Sequence, residues 1–209
     1  PMVVTNMRRA EHDLSKPERL SSCGRPSPWV HLALLDADGN EVPKGEPGEI
    51  CVRGPLVMKG YKDMPEQTAE TFAGGWLHTG DVGRLDEDGF LYIVDRTKDM
   101  IVTGGFNVFP REVEDVLATH EAVAQVVVIG VPDDKWGEAV KAVVVPKPGA
   151  ETSDTLVAEL QALVKDAKGS VQAPKSVDFV EAIPLTPVGK PDKKAVRAQY
   201  WEGADRGVG

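Results

Sequence analysis

Up to about residue 95 the apolar positions come in short alternating runs broken by acidic turns. VHLALLD at 30–36 leads into DADGN, and GEICVRG follows at 48–54. VGRL at 82–85 and FLYIVD at 90–95 flank the turn DEDG. Short apolar runs separated by Asp/Asn-Gly predict strands joined by tight hairpin turns. One helix is predicted after Pro65, over PEQTAETF. Residues 1–28, with Pro1, Pro17, Pro26 and Pro28, read as an irregular lead-in.

Beyond residue 95 the period changes. Pro110 suits the first turn of a helix, and Val113, Val116 and Leu117 share one face of it. AVAQVVVIGV and EAVKAVVVP read as apolar, β-branched strands around PDDKWG. Ser153 is placed to cap an amphipathic helix carrying Leu156, Val157, Leu160, Leu163 and Val164, which ends at Gly169. KSVDFVEAI predicts another strand and PDKKAVRAQYW a short terminal helix. The expected fold class is therefore α+β, with a β-rich part over 1–95 and a compact α+β domain over 96–209.

Composition narrows the function. Hydrophobic residues at 41% suffice for a core, while 24 Lys+Arg against 33 Asp+Glu give a net charge of −9. That disfavours nucleic acid or an anionic membrane as a partner. No apolar run reaches the length of a membrane span, and the start lacks a signal-peptide pattern. Cys23 and Cys51 form no CxxC pair, and His12, His31, His78 and His120 are scattered. Neither a disulfide framework nor a metal centre is expected, and a reducing cytoplasm is the natural setting.

Phosphate-loop, dinucleotide, zinc-protease and serine-hydrolase signatures are absent. Polar residues at the edges of elements remain. In HTGD, Asp81 stands just beyond a predicted strand, where it can accept bonds from vicinal hydroxyls or simply lead a turn. DRTK at 95–98 is a charged turn. Gly104 and Gly105 break the segment DRTKDMIVTGGFNVFP, and Lys190 precedes Pro191 on an extended loop.

In order and spacing, GEICVRGPLVMKGY, GGWLHTGDVGRLDEDGFLYIVDRTKDMIVTGGFNVFPREVE and IPLTPVGKPDKK resemble the later motifs of the adenylate-forming (AMP-binding) enzymes. The resemblance runs over about residues 20–202. GGFNVFPREVE resembles the fatty-acyl-CoA synthetase branch most, since peptide-synthetase domains usually carry arginine where Asn107 stands.

The resemblance implies that a carboxylic acid and ATP give an acyl-adenylate, from which CoA displaces AMP, with Mg2+ accompanying ATP. It implies a ribose-binding role for Asp81, an adenine contact for Ile93 and a ribose–phosphate contact for Arg96. Lys98 falls at the family's hinge, where aspartate or lysine is found. Gly104 and Gly105 fall in the loop beside the CoA pantetheine, and Lys190 on the lysine that meets the carboxylate and α-phosphate. On this reading residues 1–95 are the last part of the large adenylating domain and 96–209 its mobile partner. The phosphate loop and acyl pocket would lie upstream, so the chain alone is expected to be inactive. The alternatives are an acyl-AMP ligase that loads a carrier protein, and a non-catalytic module that keeps the fold.

Overall fold

The computed structural model describes residues 4–201. Pro1 and the ends of the two expected domains lie outside the described residues. Chain contacts divide between Thr97 and Lys98, and each unit has its own sheet.

In the first unit, β1 (Thr5–Asn6) and β2 (Arg25–Pro26) make a short antiparallel pair, so the lead-in is less irregular than expected. β3 (His31–Leu35), β4 (Gly48–Arg53), β5 (Leu77–Leu85) and β6 (Leu91–Arg96) form a meander in chain order, with α1 (Pro65–Thr71) ahead of β5. Alternation decides which side chains go where. Leu34, Ile50, Val52 and Leu91 pack in one cluster, while Ala33, Leu35 and Cys51 pack in another with Trp76.

The second unit contains β7 (Ile101–Thr103), β8 (Phe106–Val108), α2 (Pro110–Leu117), β9 (Val123–Asp133), β10 (Gly137–Pro146), α3 (Asp154–Lys168), β11 (Ser176–Phe179) and α4 (Lys193–Ala198). β9 and β10 are antiparallel over their whole length, and β11 runs parallel to β10. The sheet is covered on both faces, which is why AVAQVVVIGV is continuously apolar rather than alternating. Val128, Val140, Ala142 and Val144 meet Val113 and Leu117 of α2 and Leu156, Leu160 and Val164 of α3. Val127, Ile129 and Val143 meet Ile183, between β11 and α4, and Val196 of α4. Each fully buried Leu or Val side chain here contributes roughly 1.5–3 kcal/mol. Ser153 caps α3 by accepting the Leu156 N–H, and Gly169 ends it at φ 89°.

Three expectations need correction. HTGD lies inside β5 rather than after a strand, because the pairing with β4 resumes across a register shift between Glu49 and Cys51. PDDKWG is largely absorbed by the β9–β10 hairpin, with Gly137 opposite Asp133. The predicted strand KSVDFVEAI is ordered as β only over Ser176–Phe179.

The connection from β11 to α4 is held at its far end by a polar cluster. Asp178 accepts Lys141 Nζ and the Tyr200 hydroxyl, each at 2.8 Å. Burial pushes the Asp178 carboxyl up, but those two donors outweigh it and hold it below the ordinary value. Burial, with Asp178 alongside, pushes the Tyr200 phenol up to about 12.

Candidate active site

Asp81 and Arg96 are opposite each other on β5 and edge strand β6. Arg96 Nε donates to Asp81 Oδ1 at 3.1 Å. The two side chains are 36% and 56% exposed, so this is a surface pair that contributes at most about 1 kcal/mol. Its value lies in what it presents to solvent, an acceptor carboxylate beside a guanidinium. Ile93 lies three residues before Arg96 on β6 and is 47% exposed. An apolar side chain left open beside a charge pair gives a surface on which a ring could rest.

The stretch of β5 carrying Asp81 is tightly held. Glu49 Oε1 accepts the Gly80 N–H at 2.9 Å, and Gly80 has φ 73°. The Thr79 hydroxyl donates to the Ile50 carbonyl at 2.8 Å and accepts the Asp81 N–H at 3.2 Å. Glu49 and Thr79 thus fix the backbone from which Asp81 projects. Sequence reasoning missed both, since their partners become neighbours only when β4 and β5 pair.

Lys98 is exposed, in the 3-10 turn Thr97–Asp99 at the boundary between the units. Gly104 and Gly105 form the two-residue turn of the β7–β8 hairpin, at φ 57° and 83°. Positive φ at both central positions is what a type I′ hairpin turn demands, so two glycines in succession have a local cause. They differ in surroundings. A Cβ on Gly104 would lie 2.5 Å from the Trp136 ring, whereas one on Gly105 would meet nothing within 4 Å. The hairpin is anchored to β10: Gly104 N–H donates to the Trp136 carbonyl at 2.9 Å, and buried Glu138 accepts the Val102 N–H at 2.9 Å. Trp136 and Glu138 are therefore supports of this turn that the sequence reading did not single out.

A stability test follows. Gly104→Ala should lower the stability of the second unit by roughly 1 kcal/mol more than Gly105→Ala. Both pay for a strained φ, but only Gly104 also displaces the Trp136 ring. Urea unfolding of the two variants measures the difference, and equal losses would mean the ring contact is immaterial.

Lys190 lies at the end of a closed turn. Thr186 N–H donates to the Lys190 carbonyl at 2.7 Å, Lys190 N–H to the Thr186 hydroxyl at 3.1 Å, and Gly189 N–H to the Thr186 carbonyl at 2.8 Å. Gly189 has φ 78° and Leu185 bridges Pro191. The backbone is fixed while the Lys190 side chain is exposed, and among the described residues it has no ion-pair partner. Its basic neighbours behave otherwise. Lys193 Nζ reaches Glu114 at 2.9 Å, and Arg197 reaches Asp99 at 3.5 Å. Lys193 and Arg197 pin α4 to its unit, so Lys190 is not one of an equivalent solvated cluster.

The structure also gathers residues that looked scattered. Cys51 on β4 and His78 on β5 are directly opposite, and Glu49 lies two residues before Cys51 on β4. One ligand atom from each falls within 4.8 Å of the others. Burial, with Glu49 nearby, pushes the Cys51 thiol up to about 12. This grouping has no signature in the sequence, because cross-strand pairing leaves no regular spacing there.

Among the described residues no helix is long and apolar enough to cross a membrane. The family model described as AMP-binding enzyme matches residues 2–62, and that described as AMP-binding enzyme C-terminal domain matches residues 112–190. The medium/long-chain-fatty-acid–CoA ligase FadD8 of Mycobacterium tuberculosis is 61% identical over all of this chain and 37% of its own length. The fatty acid–[acyl-carrier-protein] ligase ScoC of Streptomyces coeruleorubidus is 40% identical over 90% of this chain and 36% of its own. Among solved structures, the amide bond synthetase McbA from Marinactinospora thermotolerans matches at TM-score 0.81 and 44% identity, over 94% of this chain and 39% of that one. The chain thus spans well under half the length of these relatives. Two family models, matched in the order expected and on an α+β fold shared with known members, place this chain in the AMP-binding, adenylate-forming enzyme family.

Proposed function

We propose that a full-length enzyme containing this sequence is an AMP-forming acid–thiol ligase, which activates a carboxylic acid with ATP and transfers the acyl group to CoA. The observation that carries the reading is the Asp81–Arg96 pair on facing strands, held by Glu49 and Thr79, in a chain 61% identical to a fatty-acid–CoA ligase. That identity favours a medium- or long-chain fatty acid as the acid, and a cytoplasmic setting belongs to the same proposal.

Each residue has a chemical task in this proposal. The Asp81 carboxylate accepts the two ribose hydroxyls, Arg96 faces the ribose and α-phosphate, and Ile93 supports the adenine. A carboxylate oxygen attacks the α-phosphorus as the bond to pyrophosphate breaks. Negative charge then grows between two anionic groups, and the Lys190 ammonium stabilises it. In the second step CoA sulfur attacks the acyl carbon and AMP leaves. Gly104 and Gly105 keep the hairpin low where the pantetheine approaches. Lys98 and the Thr97–Lys98 boundary supply the hinge that alternates the two steps. Mg2+ would accompany ATP as its counter-ion, and no residue of this chain is assigned to it.

The acceptor is the open chemical choice, since ScoC is a carrier-protein ligase and McbA an amide bond synthetase. All three acceptors attack the same activated carbonyl. The test gives full-length enzyme a fatty acid and ATP, then CoA, a phosphopantetheinylated carrier protein or an amine. Acyl-CoA as the dominant product is the expected result. AMP release driven only by carrier protein or amine would replace CoA as the acceptor, and no acid-dependent pyrophosphate release at all would leave only a non-catalytic module.

A further inference from the structure

We propose that Glu49, Cys51 and His78 form a binding site for a borderline divalent cation of the Zn2+ class. The three side chains share one face of the β4–β5 ladder, as residues i and i+2 of one strand and the residue opposite i+2 on the next.

Their chemistry matches the geometry. Thiolate, imidazole and carboxylate form a ligand set that zinc favours, with a fourth position left to water or another donor. His78 Nδ1 lies 2.8 Å from Glu49 Oε2 and 3.4 Å from Cys51 Sγ. In a tetrahedral site with ordinary zinc bond lengths, neighbouring donors lie roughly 3.3–3.6 Å apart. The sulfur–nitrogen distance already fits, and the carboxylate needs to retreat by about 0.5 Å.

The surroundings are those of a metal ligand set. His78 Nε2 lies 3.2 Å from the Ala73 carbonyl. With Nε2–H donating there, Nδ1 is the nitrogen available to a metal. Metal-bound histidines commonly make such an outer bond. Glu49 binds the Gly80 N–H through Oε1, so its Oε2 can take a metal without releasing the turn beneath Asp81. Cys51 is fully buried while the side chains of His78 and Glu49 are 26% and 23% exposed, which leaves an approach from one side. On binding, the thiol proton departs to solvent and a sulfur–metal bond replaces it.

The experiment is a Co2+ titration of the 209-residue chain with a non-thiol reductant present, followed by Zn2+ displacement. One Co2+ should bind per chain with a thiolate charge-transfer band in the near ultraviolet and tetrahedral visible bands. Zn2+ should abolish both. Cys51→Ser should remove the charge-transfer band, and His78→Gln should weaken binding by roughly tenfold or more. Cys23→Ser should change neither. Circular dichroism checks the fold of each variant, and a rise in thermal midpoint with Zn2+ that His78→Gln loses gives a second readout. No saturable Co2+ binding, or binding that Cys51→Ser and His78→Gln leave unchanged, would overturn the site.

Discussion

Replacing Lys190 by alanine in a full-length enzyme containing this sequence should slow adenylate formation from acid and ATP by about 10²–10³-fold, or about 2.7–4 kcal/mol. On the proposed mechanism the loss is that of one preorganised cation at the place where charge accumulates. The turn Thr186–Lys190 is closed by three hydrogen bonds and Gly189 takes a left-handed conformation. Holding the backbone still reduces the conformational freedom lost when the ammonium engages. The same variant, given pre-formed acyl-adenylate, should make acyl-CoA at close to the wild-type rate. Lys193→Ala provides the contrast. Lys193 is bonded to Glu114, which also accepts the Val128 N–H, so its removal should show as lost stability rather than a selective loss of adenylation. Acetylation of Lys190, which removes the charge, should reproduce the alanine effect. Equal and mild effects at Lys190 and Lys193 would remove Lys190 from the chemistry.

The opposite pattern is expected at Gly105. Gly105→Leu should reduce thioester formation by about 10²-fold or more, through obstruction and misplacement of the pantetheine, and leave adenylation largely intact. Within this chain the position is open, since an added Cβ meets nothing within 4 Å. Leucine at φ 83° also carries about 1–2 kcal/mol of backbone strain, which could mimic a functional loss by weakening the hairpin. Gly105→Asn separates the two causes, because asparagine tolerates the left-handed region yet still carries a side chain. Thioester formation should fall in Gly105→Asn with little change in stability. Parallel loss of both half-reactions in Gly105→Asn and Gly105→Leu would point to hairpin disruption instead.

The parts of this fold visible in the sequence are those set by local periodicity and turn chemistry. The apolar run VHLALLD, the DEDG turn, the Ser153 cap and the α3 stripe all act within a few residues, and the structure contains each. The missed features depend on pairing between distant segments. HTGD reads as a turn, but Glu49 on the neighbouring strand holds it within β5. The double glycine at 104–105 reads as a flexible break, yet the pairing of Ile101 with Val108 makes it the tip of a hairpin. Glu49, Cys51 and His78 share no spacing until β4 meets β5. Asp81, Arg96 and Lys190 are singled out by the order of motifs along the chain, and their roles belong to the proposal. Thr79, which supports Asp81, and Glu138 and Trp136, which support the Gly104–Gly105 hairpin, appear only in three dimensions.

The central claim is that one family fold uses two separate loops of this chain for two separate half-reactions. The most direct measurement follows ATP–pyrophosphate exchange and acyl-CoA formation from supplied acyl-adenylate, side by side, in full-length wild type, Lys190→Ala and Gly105→Leu. The account predicts a crossed result: Lys190→Ala loses exchange and keeps thioester formation, while Gly105→Leu keeps exchange and loses thioester formation. Both activities falling together in both variants would contradict it.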